Sequence, residues 1–160
     1  MRARGTEAVT LRRVLAVAAL TLAALGLSTR PAAAQCSISA TGVAFGSYDV
    51  FTTTPTDSTG TITYRCTLSL NVQITLSQGI AGDYNPRQLA SGPKRLNYNL
   101  YRNAARTTIW GNGSGGTSVY THFVPLLTGD IVVTVYGRIF ALQDVPAGSY
   151  SDTIVVTINF

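Results

Sequence analysis

The chain has one histidine, His122, so a serine nucleophile with a histidine base and an aspartate would have to be built on it. His122 sits between Thr121 and Phe123 in an extended run, and no Gly-x-Ser-x-Gly elbow surrounds any serine. It reads as a structural residue. Paired carboxylates could hydrolyse glycosides, but beyond residue 35 the acids are scattered aspartates: Asp49, Asp57, Asp83, Asp130, Asp144 and Asp152. Each falls in a loop or at a strand start, where Asp bonds nearby backbone amides. The glycine-rich Gly111–Gly116 run lacks the lysine and the following helix of a phosphate loop, and the Asn112-Gly113-Ser114 sequon at most marks a surface loop. Cys36 and Cys66 have too few neighbouring Cys and His residues to hold a metal. Tyr84, Tyr98, Tyr101, Trp110 and Tyr120 could line a sugar-binding surface, with Tyr84, Arg87 and the Trp110–Gly116 loop as its contacts. Aromatics in β proteins serve more often in the core or in cross-strand pairs. No catalytic group, metal site or cofactor emerges from these residues.

The start of the chain reads as a leader. Arg2, Arg4, Arg12 and Arg13 precede the uncharged run from Val14 to Leu27, and Ala32-Ala33-Ala34 supplies small residues for cleavage before Gln35. A run of about 14 apolar residues is short of the roughly 20 needed to span a bilayer, so 1–34 reads as a signal peptide and not as a stable anchor. Removing it changes the charge. The whole chain carries 12 basic and 7 acidic residues, a net of +5. From Gln35 onward 7 basic residues face 6 acidic ones, a net of +1, with no basic cluster beyond Lys94-Arg95. That balance gives no footing for nucleic-acid binding.

Residues 35–160 fit a single domain with one core. They contain no Glu, no Met and one Lys, with many Thr, Ser, Val, Ile, Tyr and Gly. Such a composition favours strands and tight turns over helices. In an exported chain Cys36 and Cys66 are expected to pair, closing a loop of about 30 residues worth roughly 3–4 kcal/mol.

Period-2 runs bounded by turn residues predict the elements. Cys36–Phe45 is a first strand interrupted near Gly42, and Tyr48–Gly60 is a Thr-rich loop or irregular edge. Thr61–Leu68 and Asn71–Ser77 alternate apolar and polar residues, and the short link between them suggests an antiparallel pair. Gln78–Lys94, with its Gly and Pro residues, is expected to be irregular, and Arg95–Arg102 alternates again. Ser118–Leu127 and Ile131–Phe140 read as a hairpin around Thr128-Gly129-Asp130. The last strand, Tyr150–Phe160, puts Ile154, Val156, Ile158 and Phe160 on one face. Short strands at this spacing predict an all-β sandwich or barrel.

Five segments carry a resemblance: CSISATGVAFGSYD, GTITYRC, ITLSQGIAGDYNPRQLASG, LNYNLYRNAARTTIWG and AGSYSDTIVVTINF. Their ordered set resembles the spore coat protein U domain family, which includes subunits of archaic chaperone–usher pili. The resemblance implies an incomplete immunoglobulin-like, pilin-type sandwich, completed by a strand from a periplasmic chaperone and then from a neighbouring subunit. It implies a pilus chaperone, an usher and neighbouring pilus or coat subunits as partners, and a route through the periplasm to the cell surface or an extracellular fibre. In that picture Ile154, Val156, Ile158 and Phe160 border the acceptor groove, the Phe160 carboxylate anchors the chaperone, and Cys36 and Cys66 are the family's cysteine pair. Cleavage before Gln35 would leave one residue ahead of Cys36, so a subunit that accepts a strand without donating one is expected. The alternative is a small secreted adhesin or carbohydrate-binding module.

Overall fold

The computed structural model describes residues 35–126 and 129–160; the expected leader, 1–34, lies outside them. Among the described residues eight strands form in chain order: β1 (Cys36–Thr41), β2 (Thr56–Cys66), β3 (Leu70–Leu76), β4 (Arg87–Ser91), β5 (Lys94–Tyr101), β6 (Tyr120–Val124), β7 (Ile131–Ile139) and β8 (Val156–Asn159). A 3-10 turn, Gly79–Ala81, lies between β3 and β4. The strands build one sheet in the order β1-β2-β7-β5-β4 and a second in the order β6-β3-β8, with every pairing antiparallel. The two sheets enclose a core of Ile62, Tyr64, Val72, Ile74, Leu76, Leu96, Tyr98, Leu100, Trp110, Val124, Val135 and Ile139. This is an all-β, incomplete immunoglobulin-like sandwich.

Alternation places these side chains. In β2 the buried residues Ile62, Tyr64 and Cys66 alternate with Thr61, Thr63 and Arg65, and in β3 Val72, Ile74 and Leu76 do the same. Such a period turns one strand face to the core and the other outward. Cys36 lies directly opposite Cys66 in the β1–β2 ladder, and the two form a disulfide.

Two expected pairings and two expected loops change. β2 and β3 do not pair, because the short link after Cys66 carries the chain from one sheet to the other. β6 and β7 are likewise on different sheets and form no hairpin; Leu127 and Thr128 of the connection lie outside the described residues. Alternation and link length look the same for a hairpin and for a step across the sandwich. The Thr-rich stretch before Gly60 already belongs to β2, whose Thr56 pairs with Ile139. Within the expected irregular stretch, Arg87–Ser91 is a strand paired to β5.

Two glycines decide how β1 ends. Past Gly42 the chain leaves the edge of the larger sheet and crosses its inner face. A Cβ on Gly60 would stand 2.6 Å from the Thr41 carbonyl oxygen, and one on Gly137 would stand 2.6 Å from Val43 and 2.7 Å from Phe45. Glycine inside a strand often marks such a close approach. Phe45 then meets Tyr98 edge-on, with ring centroids 5.9 Å apart.

The registers define two poles. At one, β1 starts opposite the end of β2, at the disulfide, and β7 begins at Ile131 opposite Tyr64. At the other, β7 ends at Ile139 opposite Thr56, the start of β2, while β1 stops short of it at Thr41, opposite Thr61.

Candidate functional site: an open apolar cleft beside the last strand

A cleft of about 990 Å³ opens between two lips. The first is the Gly42–Val50 segment, and the second runs from Val145 to Val156. Ile62, Leu76, Leu96, Leu100, Val135 and Ile139 form the floor. These floor side chains are already almost wholly buried, whereas Val43, Phe45, Val145, Tyr150, Ile154 and Val156 on the lips are half-buried. An occupant would gain most of its apolar contact from the lips.

The second lip owes its shape to a change of sheet. Ser151 pairs with Ala90 of β4, and four residues later Ser77 N–H donates to the Val155 carbonyl at 3.0 Å, starting the β3–β8 ladder. Asp152 pins the crossing: its carboxylate accepts from Tyr98 Oη at 2.7 Å, Ile80 N at 2.9 Å and Thr153 N at 2.7 Å. Burial, and next the hydrogen bond to Asp152, pushes the Tyr98 hydroxyl pKa well above its usual value. Ser77 Oγ takes the Val155 N–H at 2.9 Å.

From this register the direction of the free backbone groups follows. In an antiparallel ladder, successive residues point their N–H and C=O alternately to either side. Val155, Thr157 and Asn159 face β3, so Ile154, Val156 and Ile158 direct their backbone groups to the unpaired edge. The side chains of the same three residues are half-buried while their neighbours are exposed. Ile154 and Val156 thus offer a cleft both an apolar lip and a row of hydrogen-bonding groups. Among the described residues the opposite lip pairs with no strand either, and Ala44 O accepts the Ser58 hydroxyl at 2.6 Å.

The four residues expected along the groove separate. Ile154 and Val156 line the cleft; Ile158 packs on the core opposite Ile74; Phe160 is 56% exposed and outside the lining. The first lip carried no clear sequence signal, although the glycines at 60 and 137 are its signature.

The expected surface contacts Tyr84, Arg87 and Trp110 are not on the surface: they are 5%, 0% and 0% exposed. Arg87 is a buried fork. Its Nε and Nη2 donate to Ser77 O at 3.0 and 2.9 Å, Nη1 to Asn99 Oδ1 at 2.9 Å, and Nη2 also to Trp110 O at 2.7 Å. Its guanidinium lies 5.1 Å from the Tyr84 ring centroid. Burial pulls its pKa below the ordinary value, opposed by Tyr98, Tyr84 and Asp152. Trp110 gives its indole N–H to Ile74 O at 3.0 Å. With these three inside, their side chains offer no contact to a ligand at the surface.

The other chemistry-bearing residues are also engaged. His122 Nδ1 is 2.8 Å from Tyr64 Oη. Asp57 is held by Arg138 and Arg106, Asp130 by Arg65, and Asp83 by the amides of Tyr84 and Asn85. Among the described residues no group of three His, Cys, Asp or Glu side chains could hold a metal ion. No helix among them is long and apolar enough to cross a membrane.

Known proteins match this arrangement. Protein U of Myxococcus xanthus is 37% identical over 111 residues, which cover 64% of this chain and 59% of Protein U. The chain therefore spans about three fifths of that relative's length. A chain of the CsuC–CsuE chaperone–tip adhesion subunit pre-assembly complex, from the archaic chaperone–usher Csu pili of Acinetobacter baumannii, shares the fold. The TM-score is 0.55 at 22% identity, covering 80% of this chain and 40% of that one. The model of the Spore Coat Protein U domain matches residues 21–157. With that span, and with this sandwich and its open edge, the chain belongs to the Spore Coat Protein U domain family.

Proposed function

We propose that the protein is an exported structural subunit of a surface fibre or coat, whose sandwich is completed by a strand from a chaperone or a neighbouring subunit. The observation that carries this reading is the cleft: apolar on both lips and bordered on β8 by an unpaired row of backbone groups. An inserted strand would pair with Ile154, Val156 and Ile158 and set alternate side chains against Val43, Phe45, Ile154 and Val156. Strand addition to an open edge gains main-chain hydrogen bonds and uses the alternating pockets for specificity. Left open, the same edge invites aggregation, which explains why a chaperone would be needed in transit. The likeness to a subunit crystallised with its chaperone supports a chaperone of the archaic chaperone–usher type as the first partner. The leader-like residues 1–34 supply the route of export, and an usher and neighbouring subunits follow as later partners.

The full chain, exported with its own leader, tests this. Soluble yield and thermal unfolding are measured with and without a co-expressed archaic-type chaperone. A soluble, chaperone-bound subunit that aggregates without the chaperone supports the reading. A monomer that is soluble, melts cooperatively alone and ignores added strand peptides overturns it.

A further inference from the structure

Asn112-Gly113-Ser114 fits the acceptor pattern for asparagine-linked glycans, Asn-x-Ser with x other than proline. In sequence that pattern marks only a surface loop; three features of the structure add to it. The first is presentation. Residues 112–116 are all exposed, on a loop that leaves the body through a narrow neck. At the neck Gly111 N donates to Ser118 O at 3.0 Å, and Ser118 N to Ile109 O at 2.9 Å. Trp110, directly before it, is buried. A Cβ on Gly111 would stand 2.5 Å from Thr117 Oγ1, so only glycine lets the two arms close this tightly. Beyond the neck Gly113, Gly115 and Gly116 have φ of 91°, 57° and 76°, which glycine adopts without steric cost.

The second feature is the turn itself. Ser114 N and Ser114 Oγ both donate to Asn112 Oδ1, at 3.0 and 2.6 Å. This Asx turn brings together, on an exposed loop, the two side chains that a glycosylating enzyme must read at once. Thr117 Oγ1 braces it, accepting from Gly113 N at 3.1 Å and donating to Ser114 O at 2.7 Å. The third feature is the nitrogen. Oδ1 takes both donors, and among the described residues Asn112 Nδ2 meets no acceptor. The bonds of the turn are local to the loop, so the sequon can lift into an enzyme's site while the core beneath it stays closed.

We propose that Asn112 is a glycan acceptor, modified on Nδ2 by an oligosaccharyltransferase that uses a polyprenyl-diphosphate-linked oligosaccharide. Nδ2 bonds to the anomeric carbon of the first sugar as the bond from that carbon to the diphosphate oxygen breaks. The proton lost from Nδ2 balances the negative charge gained by the released polyprenyl diphosphate. The product is a bulky, solubilising group on the surface of the subunit. None of residues 112–116 lines the cleft, so the glycan attaches outside it. The proposal needs the export of the chain argued above, and it stands whether or not the cleft accepts a strand.

The full chain and its variants, expressed in the cells that naturally make the protein, are recovered after export and mapped by trypsin and mass spectrometry. The tryptic peptide of residues 107–138 has Asn112 as its only asparagine. In wild type it should carry added sugar mass. Asn112→Gln and Ser114→Ala should each abolish that mass, and Ser114→Thr, which keeps the hydroxyl, should retain it. Both loss variants change an exposed turn and should still melt cooperatively, which reports an intact fold. A wild-type chain exported with Asn112 bare overturns the acceptor and leaves the structural reading standing. Sugar mass that persists in Asn112→Gln sits on a hydroxyl and overturns it too. A chain that never leaves the cytoplasm overturns the export reading, and the acceptor with it.

Discussion

Replacing Arg87 by methionine tests how a buried cation shapes the cleft. Arg87 is 0% exposed, and its guanidinium serves three acceptors: Ser77 O, Asn99 Oδ1 and Trp110 O. Methionine keeps much of the volume but none of the donors. Asn99 Oδ1 keeps the Leu100 N–H, but the Ser77 and Trp110 carbonyls are stranded, each costing about 1–3 kcal/mol, for a gross loss of roughly 2–6 kcal/mol. Removing a buried charge that has no carboxylate within ion-pair distance recovers part of this, because its desolvation is no longer incurred. A net loss of about 2–4 kcal/mol follows, against a total domain stability of about 5–15 kcal/mol. With a urea slope of about 1–3 kcal/mol/M, the unfolding midpoint should fall by roughly 1–2 M. The loss should reach the cleft as well, because Ser77 is the residue that starts the β3–β8 ladder through Val155. Peptide affinity measured under conditions where the variant is folded should therefore drop too. Arg87→Lys should fare no better, since an ammonium cannot span the fork. A methionine variant whose urea midpoint and peptide affinity both match wild type would refute this account of the network.

Other substitutions probe the lips, the core and the charges. Gly137→Ala forces a Cβ to within 2.6 Å of Val43 and 2.7 Å of Phe45, so it should cost about 1–3 kcal/mol and weaken peptide binding by displacing the first lip. Thermal melts with and without peptide would show both effects. Trp110→Ala should cost about 3–5 kcal/mol as a core truncation, and glycan binding should be equally absent in wild type and in this variant; denaturant titration and a glycan array check the two halves. The hydrogen bond from Arg138, helped by the charges of Arg138 and Arg106, holds the Asp57 carboxyl below its usual pKa despite its partial burial. The stability this ion pair contributes is complete above the ordinary carboxylate range and fades as pH falls through the lowered folded value. Asp57→Asn should therefore flatten part of the acid limb of a stability–pH curve and leave its alkaline side unchanged.

Much of the fold was legible in the side-chain alternation of particular strands. The inward set Ile62, Tyr64 and Cys66, the set Val72, Ile74 and Leu76, and the Ile154–Val156–Ile158 face all lie where a period of two puts them. Cys36 and Cys66 had no other cysteine to pair with, and the motifs gave the family. The strand Arg87–Ser91 was hidden because five residues inside a Gly- and Pro-rich stretch carry too little alternation to stand out.

The sequence by itself determined which residues share a face, because that follows from backbone geometry within one strand. Tertiary structure alone decided which strands meet, since a short link serves equally for a hairpin or for a step between sheets. It decided too that Tyr84, Arg87 and Trp110 lie inside, because aromatic and cationic side chains are stable within a core once carbonyl oxygens have closed around their donors. The cleft belongs to that second class. It arises where two segments far apart in sequence, Gly42–Val50 and Val145–Val156, stand apart over a shared apolar floor, and local periodicity carries no record of a gap between them.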